Sequence, residues 1–482
     1  MDTASGKPSG AQGQTSQVPA TDKKGKNAVR DDEAGKTQGK AVNHSHKTIG
    51  RTASLDNAAL WAEFSQYQPG GELVITEYEP PDPYNYPDYP DPEQSNSNDK
   101  VLSEEEREMP LMDLVFKYAP LERIEKGNAQ PPDGASNTHH GDAQGSAEHK
   151  RRQLRVEIVR LIKGGADQGC QVLLCKIKTV SHEIPKYTIR QLKRALSISL
   201  SKLFSKWSLR NRQETTEPLL LPLVEQRLPA GEPVAVGDLV VLKVFDPLHY
   251  GHIDPSRGPR KVTTMADGDM SREDGAYRHL WRNKATGYPH IAPQYHGAWK
   301  VNLGSRHPAF EGQRRQVGAV MMEYIRGTTI EDLCGRSSEN NNLVVPPGVS
   351  TLDFEGTKQV RMEPHFMMAI FKEYLRGSVC QLHAGVEHWF PEPENVMVTT
   401  TDEGKPRAVL IDYVAAGIDS KRRVPMNYFP GRSPPHPWTH FSLGKLQFFR
   451  GWFPPLWNDG RWEQWVAVTF GTLDNSAYGH VQ

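Results

Sequence analysis

The sequence predicts an α+β protein of two unequal lobes, preceded by a long N-terminal region with no core of its own. Three observations carry this. β-type apolar runs concentrate between residues 150 and 325, helix-spaced apolar residues follow them, and the first 150 residues are poor in core-forming side chains. The chain has 482 residues, 58 basic and 58 acidic groups, 41 Gly and 37 Pro. Its hydrophobic fraction is 37%, below the roughly 45–50% usual for a compact protein with Gly counted. The average therefore mixes unlike regions. No apolar run approaches the roughly 18 residues of a membrane-spanning helix. The zero net charge argues against a nucleic-acid binder driven by charge, so no nucleic-acid partner is expected. Met1–Gly10 has no apolar core of a secretory signal, and Cys170, Cys175, Cys334 and Cys380 show no CxxC spacing. Both point to reduced thiols in the cytoplasm or nucleus.

Taken in order, residues 1–100 read as a disordered tail. Its first 60 residues contain no Phe, Trp or Tyr, so too little apolar surface is available to offset the entropy of ordering. Arg51-Thr52-Ala53-Ser54 has the spacing of a basophilic phosphorylation site. Residues 78–93, YEPPDPYNYPDYPDPE, favour an extended segment that docks on a partner or lies across the protein's own surface. Residues 101–126 hold a short helical segment with Ser103 as N-cap and Glu106 completing a capping box, interrupted by Pro110. Residues 127–149 lack Leu, Ile, Val, Met and aromatic residues and read as a linker, its His139-His140 pair included.

The first lobe is expected over 150–325. LRVEIVRLIKGG and CQVLLCKIKTV form two strands joined by the glycine-rich turn Gly164–Gly169, with further strands at Val236–Phe245 and Val317–Ile325. The second lobe, 326–482, carries a helix from Phe366 to Leu382 and a hairpin of Asn395–Thr400 with Ala408–Val414, turned at 402–406. Trp438, Trp452, Trp457, Trp462 and Trp465 are expected to close its core.

Lys243 stands in the middle of an apolar strand, VVLKVFDP, and a Lys buried there requires a charged partner. Glu273, on the core-facing side of a helical pattern with Ala276, Tyr277 and Leu280, is a candidate. MMEYIRGTTIEDL and LHAGVEHWFPEPENVMV, followed by VLIDYV, complete a set of fragments in a fixed order. Together they resemble the protein-kinase-like fold, and their wording is nearest to the aminoglycoside- and choline-kinase-like branch and to small kinase-like proteins of filamentous fungi. The resemblance covers about residues 150–465. It implies a bilobal fold and a bound ATP with Mg²⁺. Lys243 would contact the phosphates and Glu273 would orient it. The backbone of Glu323, Tyr324 and Ile325, with Met322 beside it, would hold adenine. Asn395 and Asp412 would hold the metal. Gly164, Gly165 and Gly169 would lie over the phosphates, although the turn lacks G-x-G-x-x-G and equally suits an ordinary hairpin.

One departure outweighs the matches. In the loop that begins at His388, the position of the catalytic Asp holds Phe390, with the loop length unchanged. A phenyl ring accepts no proton, and a positioned general base contributes about 10²–10⁴-fold. Glu392, two residues on, could stand in as the base. No A-P-E follows Asp412, so an activation loop is not expected. The resemblance thus implies a pseudokinase, an ATP-binding protein with strongly impaired transfer that acts as a regulatory or scaffold module. An active phosphotransferase using Glu392 or its substrate as base is the alternative. Independently, Lys186–Arg212 carries eight Lys/Arg, no acidic residue and apolar residues at three- and four-residue steps. This basic amphipathic helix either packs on the first lobe or attaches the protein to an anionic membrane surface or a protein partner.

Overall fold

The computed structural model describes residues 63, 65–84, 89, 102–118, 121–123, 151–165, 169–181, 231–251, 253–254, 258–259, 261–305, 313–424, 433–441, 444–454 and 460–478. All belong to one unit spanning residues 53–482. The Arg51–Ser54 motif, the 127–149 linker, the basic segment 186–212 and Trp457 lie outside the described residues.

Six antiparallel strands form a closed barrel. They are β1 (Glu72–Tyr78), β3 (Gln153–Lys163), β4 (Gln171–Ser181), β5 (Leu239–Phe245), β6 (Tyr295–Gly304) and β7 (Gln313–Glu323). A short strand β2 (Leu121–Arg123) continues the β5 side of β7. The order runs β7-β5-β4-β3-β1-β6 and returns to β7. This corrects the expectation of a bilobal protein-kinase-like fold with a strand-rich first lobe and a helical second lobe. The reason lies in β1, inside the region expected to be tail. It pairs with β3 on one side, Leu73 opposite Val156, and with β6 on the other, Ile75 opposite Val301. Each pairing covers an otherwise open edge, and closure leaves the sheet without one.

The helices are also fewer than that fold implies. Seven occur among the described residues: α1 (Glu104–Arg107), α2 (Leu111–Tyr118), α3 (Val262–Arg282), α4 (Ile330–Leu333), α5 (Pro364–His383), α6 (Pro437–His440) and α7 (Arg461–Phe470). Only α3, with 21 residues, and α5, with 20, exceed three turns. None is long and apolar enough to cross a membrane.

Strand periodicity divides the chain into two cores. Along β5, Val240, Leu242 and Val244 point into the barrel with Val156, Ile158, Leu173 and Trp299. The alternate residues, Lys243 among them, face outward towards α3. On β7, Val317, Ala319 and Met321 fill the barrel, while Val320 and Met322 join the outer core with Ala276, Tyr277 and Leu280 of α3. Gly318 admits the helix, because a Cβ there would lie 2.0 Å from the sulfur of Met270.

Several local expectations hold. Ser103 and Glu106 make both bonds of the capping box, and Pro110 separates α1 from α2. Strands β8 (Val396–Thr400) and β9 (Pro406–Leu410) form the expected hairpin. Trp452 and Trp462 are buried, whereas Trp438 is 37% exposed and closes nothing.

Candidate functional site

The site lies where the outer face of β5 meets α3 and the loop after β9. Lys243 has the charged partner that its burial demands, and a second carboxylate beside it. Its Nζ lies 2.6 Å from Glu273 Oε2 and 2.6 Å from Asp412 Oδ1. Glu273 is wholly buried, Lys243 nearly so, and the Asp412 side chain is 36% exposed. The cluster is thus a buried ammonium between one enclosed carboxylate and one that opens outward.

Burial works against charge on all three. The Asp412 carboxylate nonetheless holds the Lys243 ammonium well above its ordinary range, with help from Glu273. Lys243 in turn keeps Asp412 below the usual carboxylate range despite its desolvation. Glu273 is pushed up to about 7 by burial, which the attraction of Lys243 only partly offsets. The outward carboxylate therefore holds its charge more firmly than the enclosed one.

Asp412 adopts a left-handed backbone, φ +68°, as does Trp389 at φ +63°. Neither is Gly, and strain of this kind persists only where the surroundings fix it. Here they do. His388 Nε2 meets the Ile411 carbonyl at 2.8 Å, and the Ile411 N–H donates to the Asn395 carbonyl at 2.9 Å. Tyr413 stacks its edge on His388 with ring centroids 4.7 Å apart, and its hydroxyl donates to Gln381 Oε1 at 2.8 Å. The Asn395 amide donates to the Phe390 carbonyl at 2.9 Å, which leaves its amide oxygen as an available ligand atom. Ile411 thus links His388 and Asn395 by hydrogen bonds immediately before Asp412.

Burial pushes the His388 imidazole down to about 4 from an ordinary 6.5. Between these values the unfolded chain binds a proton that the folded chain refuses. His388 therefore contributes stability in full above about pH 6.5 and loses it as pH falls through 4, about 3 kcal/mol in all. His388→Gln, which retains a donor for Ile411, should flatten the fall in stability between pH 6.5 and 4. Urea unfolding across that range measures it.

Phe390 is 49% exposed, with its N–H on the His388 carbonyl at 2.7 Å. Trp389 is 41% exposed and lies under the Arg422 guanidinium, 5.4 Å from the ring centroid. Glu392 lines a cavity of about 260 Å³ together with Glu387, His388, Trp389, His440 and Lys445. Lys243, Asn395 and Asp412 do not line that cavity. Burial and the neighbouring Glu394 raise the Glu392 pKa.

Two sequence-assigned parts are tied down internally. In the glycine turn, the Gly165 N–H donates to Gln171 Oε1 at 2.9 Å and the Gly169 N–H to the His249 carbonyl at 2.9 Å. A Cβ on Gly164 would fall 2.1 Å from Gln171 Oε1. Two amides of the turn are thus already bonded within the protein. At Glu323, the N–H donates to the Gln294 carbonyl at 2.8 Å, and the carboxylate takes both arms of Arg407 at 2.7 and 3.0 Å. Met322 accepts from the Tyr277 hydroxyl at 3.6 Å, Tyr324 reaches Glu355 at 3.3 Å, and the Ile325 carbonyl accepts from Gly327 at 2.9 Å. Gln171, His249 and Arg407 escaped sequence reading because each lies far along the chain from the group it holds or fits no motif.

No protein-family model and no curated protein matches this chain.

Proposed function

We propose that the Lys243 cluster is a nucleotide site, that it binds ATP with Mg²⁺, and that the protein has strongly impaired phosphoryl transfer and acts as a regulatory or scaffold module. The observation that carries this is the double pairing of Lys243. A lysine held only to stabilise a core needs one carboxylate. This one has an enclosed partner, Glu273, and a half-open one, Asp412. Lys243 can exchange Asp412 for a phosphate oxygen and remain paired to Glu273 at 2.6 Å.

The donor set fits Mg²⁺ bound in the usual partial way. Asp412 offers an anionic oxygen and Asn395 an amide oxygen, and phosphates and water complete such a shell. Among the described residues no group of three or more His, Cys, Asp or Glu side chains gathers to hold a metal on its own. When bound, the metal would neutralise charge on the phosphates. Lys243 binds and orients the nucleotide, Glu273 keeps the ammonium in place, and His388 and Tyr413 fix the strained backbone that presents Asp412.

Efficient transfer is not supported, because the loop position between His388 and Asn395 that would hold the base carries Phe390. Glu392 lines a cavity that Lys243, Asn395 and Asp412 do not. The free energy of ligand binding adds to stability, about 2.7 kcal/mol at a concentration one hundred times Kd. MgATP should therefore raise the melting temperature of the full chain. Asp412→Ala should abolish the shift, and chelating Mg²⁺ should reduce it. A shift unchanged in Asp412→Ala would place the nucleotide elsewhere.

A further inference from the structure

We propose that residues 79–84 and Tyr89, from the Tyr/Pro-rich stretch, act as an intramolecular clamp, which holds the helix of Glu273 and the loop of Asp412 in one register. The segment leaves the barrel at Tyr78, the last residue of β1, and crosses directly onto α3. Arg272, the neighbour of Glu273, is the hub. Its Nε donates to the Val414 carbonyl at 2.7 Å and its Nη1 to the Tyr84 carbonyl at 2.8 Å, while Asp269 pairs with it from within the helix. One guanidinium therefore joins α3, the clamp and the residues after Asp412.

Tyr89 makes the second joint. It is fully buried, and its hydroxyl donates to the Ala416 carbonyl at 2.7 Å and accepts the Ile418 N–H at 2.8 Å. Arg423 Nε donates to the Tyr89 carbonyl at 2.8 Å, and Lys421 pairs with Asp82 at 2.9 Å. Ahead of the first joint, Pro80 and Pro83 are buried. A Cβ on Gly275 would lie 2.6 Å from Pro83 Cγ, so glycine at that point lets the clamp lie flat on the helix. An extended proline-rich strand suits the task, because it has little conformational freedom to lose on docking.

The inference concerns the order of these elements and does not require that nucleotide bind. Its test is amide hydrogen exchange of the full chain without nucleotide. Tyr89→Phe keeps the ring and removes both hydroxyl bonds, leaving the Ala416 carbonyl and the Ile418 N–H without that partner. Losing a buried hydrogen bond this way is expected to accelerate exchange roughly tenfold at residues 413–419 and in α3 around Arg272. Barrel amides of β4 and β5 should be unchanged. Arg423 is exposed, so Arg423→Ala perturbs no core and should speed the same segments by a smaller factor. Unchanged exchange at 413–419 in both variants, or equal acceleration in the barrel, would overturn the clamp.

Discussion

Phe390→Asp should raise phosphoryl transfer from MgATP by about 10²–10⁴-fold over the parent protein, equivalent to about 3–5 kcal/mol of barrier. The backbone at this position is fixed from both sides, by the N–H on the His388 carbonyl at 2.7 Å and by the Asn395 amide on the Phe390 carbonyl at 2.9 Å. The new carboxylate would therefore start from a defined place beside Asn395. Phe390 is 49% exposed, so the exchange removes little packing and buries no isolated charge. The measurement is phosphate transfer or ADP release under single-turnover conditions. The parent should stay near background. Substantial parental turnover that Glu392→Gln eliminates would overturn impaired transfer and show that Glu392 serves as the base.

The largest effect on stability is expected at Arg315→Met, a loss of about 3–5 kcal/mol. Arg315 lies 1% exposed, with Nη1 2.6 Å from Asp246 Oδ1 and Nη2 3.5 Å from Glu63 Oε2, both carboxylates being fully buried. Tyr67 donates to the other oxygen of Asp246 at 2.7 Å. Burial favours the neutral acid at Asp246, yet Arg315 keeps its pKa below the ordinary value. Removing the guanidinium leaves two carboxylates that folding must strip of water. The folded pKa of Asp246 then rises above the unfolded one, and such a group favours folding below its unfolded pKa and opposes it as pH rises through the folded value. The defect should therefore be larger at pH 8 than at pH 5. Urea unfolding at the two pH values reads it directly, and an equal loss at both would contradict the charge argument.

What the sequence disclosed follows from which forces act locally. A lysine in an apolar strand requires a partner wherever the chain supplies it, so a partner for Lys243 could be expected and Glu273 named as a candidate, whereas Asp412 entered only as a metal ligand implied by the resemblance. The capping box at Ser103, the helix at Phe366–Leu382 and the hairpin after Asn395 are likewise written within a few residues. Barrel closure is not. β1 is short and precedes a run of prolines, and its worth lies in two partners, β3 and β6, that are far away in sequence. The Arg315 network was hidden for a similar reason. Nothing near Arg315 in the chain marks it as buried, and only the closed barrel brings Glu63 and Asp246 to it. The clamp showed its composition but not its target, since an extended segment has no periodicity to declare a buried face. The bonds of the Gly165 and Gly169 amides to Gln171 and His249 have no local signature.

The central claim is that Lys243, between Glu273 and Asp412, receives a nucleotide. Calorimetric titration of the full chain with MgATP tests it most directly. The account predicts saturable binding at one site per chain, weakened at least tenfold by Lys243→Met. Absence of binding by the parent protein, or undiminished affinity in a folded Lys243→Met, would contradict it.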